Sequence, residues 1–289
     1  MRVTVSVPAT AANLGPGFDC LALALDLRNE FTVDLEGEPG VEVEGEGAEE
    51  LPRDGTNLVF RTVSAVAQGL GGKLPPFRLT CRTRIPLQRG LGSSASAVVA
   101  GVLLADRLLG AGLGRDRVLE LAVDLEGHPD NVAAALHGGL VVAYLSRAGW
   151  RAERLEPSPE LRPAVLVPLA ERVSTVDARR ALPAAVPLAD AAYTLSRTAL
   201  AVLALTSRPH LLAEALDDRL HQPYRLPLAP AARALFHELR EEGVPVCVAG
   251  SGPSLLAFEA EGRPLRPLGP GWRALRLPVD RAGAVVAVS

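Results

Sequence analysis

The stretch Ile85-Pro-Leu-Gln-Arg-Gly-Leu-Gly-Ser-Ser-Ala-Ser-Ala97 constrains this chain more than any other. It follows an extended run, Phe77 to Ile85, rich in Thr, Arg and apolar residues. It leads into an apolar run, Val98 to Leu109, with no glycine or proline between Val102 and Leu109. That order predicts strand, glycine loop, helix. Gly90 and Gly92 have no Cβ, so a ligand can come close to the backbone. Ser93, Ser94 and Ser96 fall in the first helical turn. Free N–H groups and the positive end of the helix dipole point out there, which suits a phosphate. The first reading is a loop that wraps nucleotide phosphates.

Other glycine-loop readings compete. The nucleoside-triphosphatase loop places a lysine after its last glycine. The only lysine in this chain is Lys73, so that reading fails. Gly90-x-Gly-x-x-Ala95 fits the dinucleotide fingerprint. The loop lies far from the N-terminus, however, and the place for a ribose-binding acid falls inside the following helix. A purely structural turn with a serine N-cap is the third reading. It loses ground because a proline precedes the glycines at a set distance and two more glycine-rich loops lie elsewhere.

The chain has 289 residues, enough for two packed units, with 48% hydrophobic and 22% charged residues. A net charge of −3 gives no reason to expect nucleic acid or an anionic membrane as partner. Cys20, Cys81 and Cys247 are far apart and form no metal-ligand spacing. They are expected to be buried free thiols in a reducing cytoplasm. No charged-then-apolar leader opens the sequence, and no apolar run reaches spanning length without polar interruption.

In order, Arg2 to Val7 alternates as a strand, and Pro8 to Asp19 is crowded with Pro, Gly and Asn as a loop. Leu21 to Leu27 and Glu30 to Leu35 read as two strands, and Gly40 to Gly47 as an acidic strand or hairpin arm. Asn57 to Leu70 has helical apolar spacing, as does Arg115 to Asp124. Leu140 to Tyr144 is a strand. Arg147 to Pro159, polar and proline-containing, is the expected boundary between domains 1–157 and 158–289. Beyond it come a buried strand at Ala164 to Pro168 and a short helix from Ser174 to Pro183. Helices follow at Ala189 to Leu205, Leu211 to Leu216 and Ala231 to Glu242. Strands are expected at Val244 to Val248, up to Phe258, and in short pieces through Val288. The residues alone predict a two-layer α+β protein.

Three loops then stand together: Pro8-Ala-Thr…Asn13-Leu-Gly-Pro-Gly-Phe-Asp19, Pro86-x-x-x-Gly-Leu-Gly-Ser-Ser-Ala95 and Gly250-Ser-Gly-Pro-Ser254. This set resembles the GHMP kinases over essentially the whole chain. The long first loop, Glu126-Gly-His-Pro-Asp-Asn-Val132, Ser174-Thr…Ala178-Arg179…Leu-Pro183 and His221-Gln-Pro-Tyr-Arg225 resemble the homoserine kinase family within them. The resemblance implies a two-domain GHMP kinase fold of class α+β. Its N-terminal domain would be ribosomal S5 domain 2-like with a left-handed crossover, and its C-terminal domain ferredoxin-like. It further implies ATP and Mg2+, L-homoserine as acceptor, and a homodimer.

The same resemblance implies residue roles. Asn57, Pro86, Arg89, Gly90, Leu91, Gly92, Ser93, Ser94, Ala95 and Ser96 would hold the nucleotide. Ser94 and Glu126 would hold the metal. In some relatives the metal glutamate lies about one helical turn further upstream, where this chain has Glu120. Arg179 and Arg225 match the arginines that take the acceptor's carboxylate, and Asp19 the partner of its ammonium. Asn13, His128 and Thr175 match other substrate contacts, and Asn131 and Glu126 carry the catalytic assignment. Arg180 reads as an exposed helix charge. No residue stands out as a strong general base, so positioning and the metal would dominate. Rival readings are a GHMP kinase for mevalonate, a sugar or threonine, a non-catalytic ligand-binding relative, and a plain nucleotide-binding protein.

Overall fold

The computed structural model describes all 289 residues. The longest strands, β1 (Arg2–Ala12) and β2 (Leu21–Asp34), pair antiparallel and form the spine of a seven-stranded sheet. β3 (Gly40–Gly45) runs parallel to β4 (Arg78–Thr83), and α1 (Leu58–Gly69) makes the crossover between them. α2 (Ser93–Leu109), α3 (Arg115–Glu126) and α4 (Pro129–His137) follow, then the hairpin of β5 (Leu140–Ser146) and β6 (Gly149–Leu155). The helices cover one face of the sheet over a core of 34 buried residues, including Val3, Val5, Phe31, Val63, Leu79 and Leu104.

The second layer is a four-stranded antiparallel sheet, ordered β10 (Trp272–Arg276), β7 (Pro163–Pro168), β9 (Leu255–Phe258), β8 (Val246–Val248). Between β7 and β8 run α5 (Thr175–Arg180), α6 (Leu188–Thr206), α7 (Leu212–Ala215), α8 (Gln222–Arg225) and α9 (Pro230–Glu241). The last strand, β11 (Val285–Val288), returns to pair with β1 in the first sheet.

A bulge in the spine joins the two layers. Register shifts between Pro8 and Ala9, so that Pro8 faces Arg28 and Ala9 faces Leu25. Two residues of β2, Asp26 and Leu27, have no partner on β1 there, and a bulge of this kind bends and twists the strands locally. Val3, Val5 and Val7 lie in the first core, whereas Ala9 and Ala11 join Leu21, Leu23 and Leu25 in a second core of 22 residues. That second core also holds Leu91, Val165, Leu205 and Cys247, and so ties the glycine loop to both sheets.

Two expectations are corrected here. Pro8 to Ala12 is strand rather than loop, because its backbone pairs with Ala22–Arg28 across the bulge. Leu21 to Asp34 is one strand rather than two, for the same reason. Of the two alternatives for Gly40 to Gly47, the strand is the one found: Gly40 to Gly45 adds to the sheet edge in parallel. Within Arg147 to Pro159, Gly149 to Leu155 is β6, fully paired with β5, and the stretch from Glu156 to Pro159 leads on toward β7 of the second sheet.

Candidate active site

Glycine geometry shapes the floor of a cleft between the two sheets. Gly92 caps α2 in the left-handed region at φ 70, and Gly90 sits at φ +71. A Cβ on Gly90 would stand 2.1 Å from the Ala249 carbonyl oxygen, so this loop and the Gly250 loop touch backbone to backbone. The Ser96 N–H bonds the Gly92 carbonyl as the first intrahelical bond. The N–H groups of Ser93, Ser94 and Ala95 precede it and are the free donors of a helix start.

The cleft, about 160 Å³, is lined by both glycine loops and by polar groups from four other segments. Of the residues named from sequence, Asn13, Asp19, Pro86, Arg89 to Ser94, Glu126, His128, Asn131, Thr175, Arg179 and Arg225 all line it. Three nucleotide-loop expectations are placed elsewhere. Ala95 and Ser96 are fully buried, and the Ser96 hydroxyl donates to the Ser93 carbonyl while accepting from Asn29. Asn57 caps α1, accepting from the Val59 N–H and donating to the Pro52 carbonyl. It lines an adjoining cavity of about 240 Å³ that shares Gln88, Ser93 and Ser94 with the cleft and adds Phe31, Leu51, Leu58 and Leu87. The Arg89 guanidinium, still lining the cleft, donates to the Pro168 and Leu169 carbonyls and so fastens the loop to the end of β7.

At one end of the cleft two arginines meet a carboxylate. Arg179 donates to Asp19 at 2.6 Å. Asp19 is held at φ 54, its N–H on the Asn13 side-chain oxygen. The Asn13 amide and Arg225 both donate to the Gly250 carbonyl at 2.9 Å, so the third loop orients the first. The Phe18 ring lies 5.0 Å from the Arg179 guanidinium and 5.2 Å from that of Arg225. Stacking of a planar cation on an aromatic face fixes its direction. The Nε of each arginine is buried without a hydrogen-bond partner. Burial first, then the neighbouring Arg179 charge, pulls Arg225 down to about 10. Arg180, by contrast, is exposed, 3.9 Å from Asp177.

At the other end Ser94 donates to Glu126 at 2.7 Å. Burial raises the Glu126 carboxyl, and the serine bond only partly offsets that. No cation pairs with it. Glu120 has a different setting: Arg117 and Arg151 hold it in ion pairs at 3.1 and 2.9 Å, and these lower its pKa. It does not line the cleft.

Asp130 is the cleft residue that sequence reasoning missed. The signal was its place in the His-Pro-Asp-Asn run, where only the Asn was singled out. Its carboxyl is fully buried and accepts from the Asn131 N–H at 2.7 Å. Desolvation, and then the Asp19 charge, lift it to about 7. An unfolded aspartate titrates near ~3.9, so the folded state holds this proton while the unfolded state has released it. Its contribution to stability therefore falls as pH rises from about 4 to about 7, then levels off. Thermal melts of Asp130→Asn should gain on the parent across that window and run parallel above it.

The fold and the cleft define a GHMP kinase. The family described as "GHMP kinases N terminal domain" matches residues 57–139. Homoserine kinase of Streptomyces avermitilis is 44% identical over 98% of this chain and 95% of its own. That of Deinococcus radiodurans is 40% identical over 98% and 96%. The crystal structure of homoserine kinase from Cytophaga hutchinsonii superposes with a TM-score of 0.83 at 26% identity, covering 99% of this chain and 97% of the other. This chain belongs to the homoserine kinase family.

Proposed function

We propose that this chain transfers the γ-phosphoryl group of ATP to the hydroxyl of L-homoserine, forming O-phospho-L-homoserine for threonine biosynthesis. The observation that carries the acceptor is the pair Arg179 and Arg225, each with a buried unpartnered Nε, set beside the Asp19 carboxylate. A free amino acid brings a carboxylate that two guanidinium groups can hold and an ammonium that a carboxylate can hold. Asn13, Thr175 and His128 line the same end and would bound the acceptor's short chain. The Ser93–Ala95 helix start holds the phosphates, and the apolar adjoining cavity suits the nucleotide base. Ser94 and Glu126 fit a magnesium ion: both offer oxygen, and the half-buried carboxylate lacks a cation. When bound, the ion neutralises charge developing on the phosphates. Asn131, which lines the cleft, would donate a hydrogen bond to the transferred group. The acceptor hydroxyl's proton would pass to the phosphoryl group itself, since Asp19 is engaged by Arg179. Release of ADP that depends on L-homoserine tests the reading; ADP release at the same rate without an acceptor would reject it.

An exposed face of α6 supports a homodimer. Its exposed stripe, Leu188, Ala192, Leu195, Ala199 and Leu203, carries no charge and reads the same in both directions. Leu188 is 85% and Leu195 72% exposed. A self-complementary apolar stripe suits a two-fold interface, with a second copy of α6 packed antiparallel. The homodimer read this way, in a cytoplasm that keeps the three cysteines free, has a direct test. Light scattering should show a dimer for the parent and a monomer for Leu195→Glu. A monomeric parent at micromolar concentration would remove the proposal.

A further inference from the structure

We propose that Thr10 is a positioning residue: it fixes which end of the Asn131 amide faces the cleft, so that Nδ2 meets the oxygens of the transferring phosphoryl group. The inference rests on the kinase reading above and deepens it. Thr10 is fully buried in β1, three residues before Asn13. Its hydroxyl donates to Asn131 Oδ1 at 2.7 Å. Its N–H donates to the Leu91 carbonyl at 3.1 Å, in the middle of the glycine loop. One residue therefore ties the sheet, the phosphate loop and the start of α4 together.

The two ends of an amide differ only in their hydrogen-bonding, so their assignment must come from the partners. Asp130 Oδ1 accepts from the Asn131 N–H at 2.7 Å and lies 3.4 Å from Asn131 Nδ2. Turning the amide over would set Oδ1 against that carboxyl oxygen, acceptor against acceptor. It would also present an oxygen, not an N–H, to the phosphates. Thr10 on one side and Asp130 on the other hold the donor outward. Gly92 shows how closely the parts fit: a Cβ there would stand 2.0 Å from the Thr10 hydroxyl and 3.3 Å from Asn131 Oδ1. The loop glycine thus leaves room for the Thr10 hydroxyl as well as for a ligand. A donor aimed at charge that develops during transfer lowers the barrier, whereas a turned amide raises it.

The test compares Thr10→Val, which keeps the shape and loses the hydroxyl, with Thr10→Ser, which keeps the hydroxyl. Each is made in the full chain, alone and with Asn131→Ala. Thr10→Val should lower kcat by about 10–50-fold, with KM for ATP and for L-homoserine within about threefold of the parent. Thr10→Ser should restore kcat to within about threefold, and Thr10→Val should cost less than about twofold once Asn131 is Ala, because coupled residues are not additive. Asn131→Asp, whose outer oxygen would face the phosphates, should be slower than Asn131→Ala. Full kcat in Thr10→Val overturns the proposal. So does an equal loss from Thr10→Val with and without Asn131. If Thr10→Val does not fold, a Thr10→Ser variant that loses kcat like a deletion, or an Asn131→Asp variant faster than Asn131→Ala, overturns it as well. A parent that fails to phosphorylate L-homoserine would instead reject the acceptor assignment.

Discussion

Glu126→Gln is expected to lower kcat by about two orders of magnitude while ATP affinity stays within about threefold of the parent. The carboxylate bonds Ser94 at the mouth of α2 and has no cation of its own. A metal held by these two oxygens acts mostly on charge that grows during transfer, so its loss should appear in kcat rather than in nucleotide binding. Glu120→Gln supplies the control. That residue is bound to Arg117 and Arg151 at the protein surface, and its replacement should leave turnover unchanged within about twofold. Steady-state kinetics across magnesium concentrations, together with nucleotide titration, measure both. A Glu126→Gln enzyme with parental kcat, or a Glu120→Gln enzyme that loses it, would move the metal to another place.

The glycine loop, and the short helix with its Ser174 cap, were legible because each rests on local chemistry. Gly92 at a left-handed position and Ser174 accepting from the Asp177 N–H need only their neighbours. The spine was not legible. Whether Pro8 to Ala12 is loop or strand depends on Ala22 to Arg28 across the sheet, and the bulge between Pro8 and Ala9 is set by that pairing. The same limit explains the nucleotide loop. Ser96 looked like a phosphate ligand until Asn29, from β2, was seen to donate to it. Arg89 belonged to the loop by position, yet two carbonyls at the end of β7 claim it. Asp130 and Thr10 lie inside the quoted motifs, yet their roles stand out only when the strand and the start of α4 meet.

Arg225→Leu should raise KM for L-homoserine by about 2–5 kcal/mol, roughly 30- to several-thousand-fold, with KM for ATP barely changed. Arg225 is 5% exposed and held by the Gly250 carbonyl, so a carboxylate bound to it would be well desolvated. Removing it would leave that carboxylate partly unpaired, which is the costly outcome for a buried charge. Arg179 is about a third exposed, and solvent should reduce its loss below that of Arg225. Arg179 also bonds Asp19, so Arg179→Leu should disturb both the carboxylate and the ammonium contacts. Arg180→Leu, with an exposed side chain, should change little. The methyl ester of homoserine separates packing from charge. It should bind poorly to the parent, yet lose little more with Arg225→Leu, because the partner of its missing charge is already absent. Parental KM for L-homoserine in Arg225→Leu would show that the carboxylate binds elsewhere.

On the proposed reading the cleft recognises one amino acid by its carboxylate and ammonium and phosphorylates its hydroxyl. The most direct measurement offers the parent protein ATP, magnesium and equal concentrations of L-homoserine, L-threonine, mevalonate and galactose. The phosphate ester formed is then identified by 31P NMR. O-phospho-L-homoserine should appear first and dominate until homoserine is consumed. A phosphate ester of mevalonate or galactose in its place, or of threonine at an equal rate, would contradict the account.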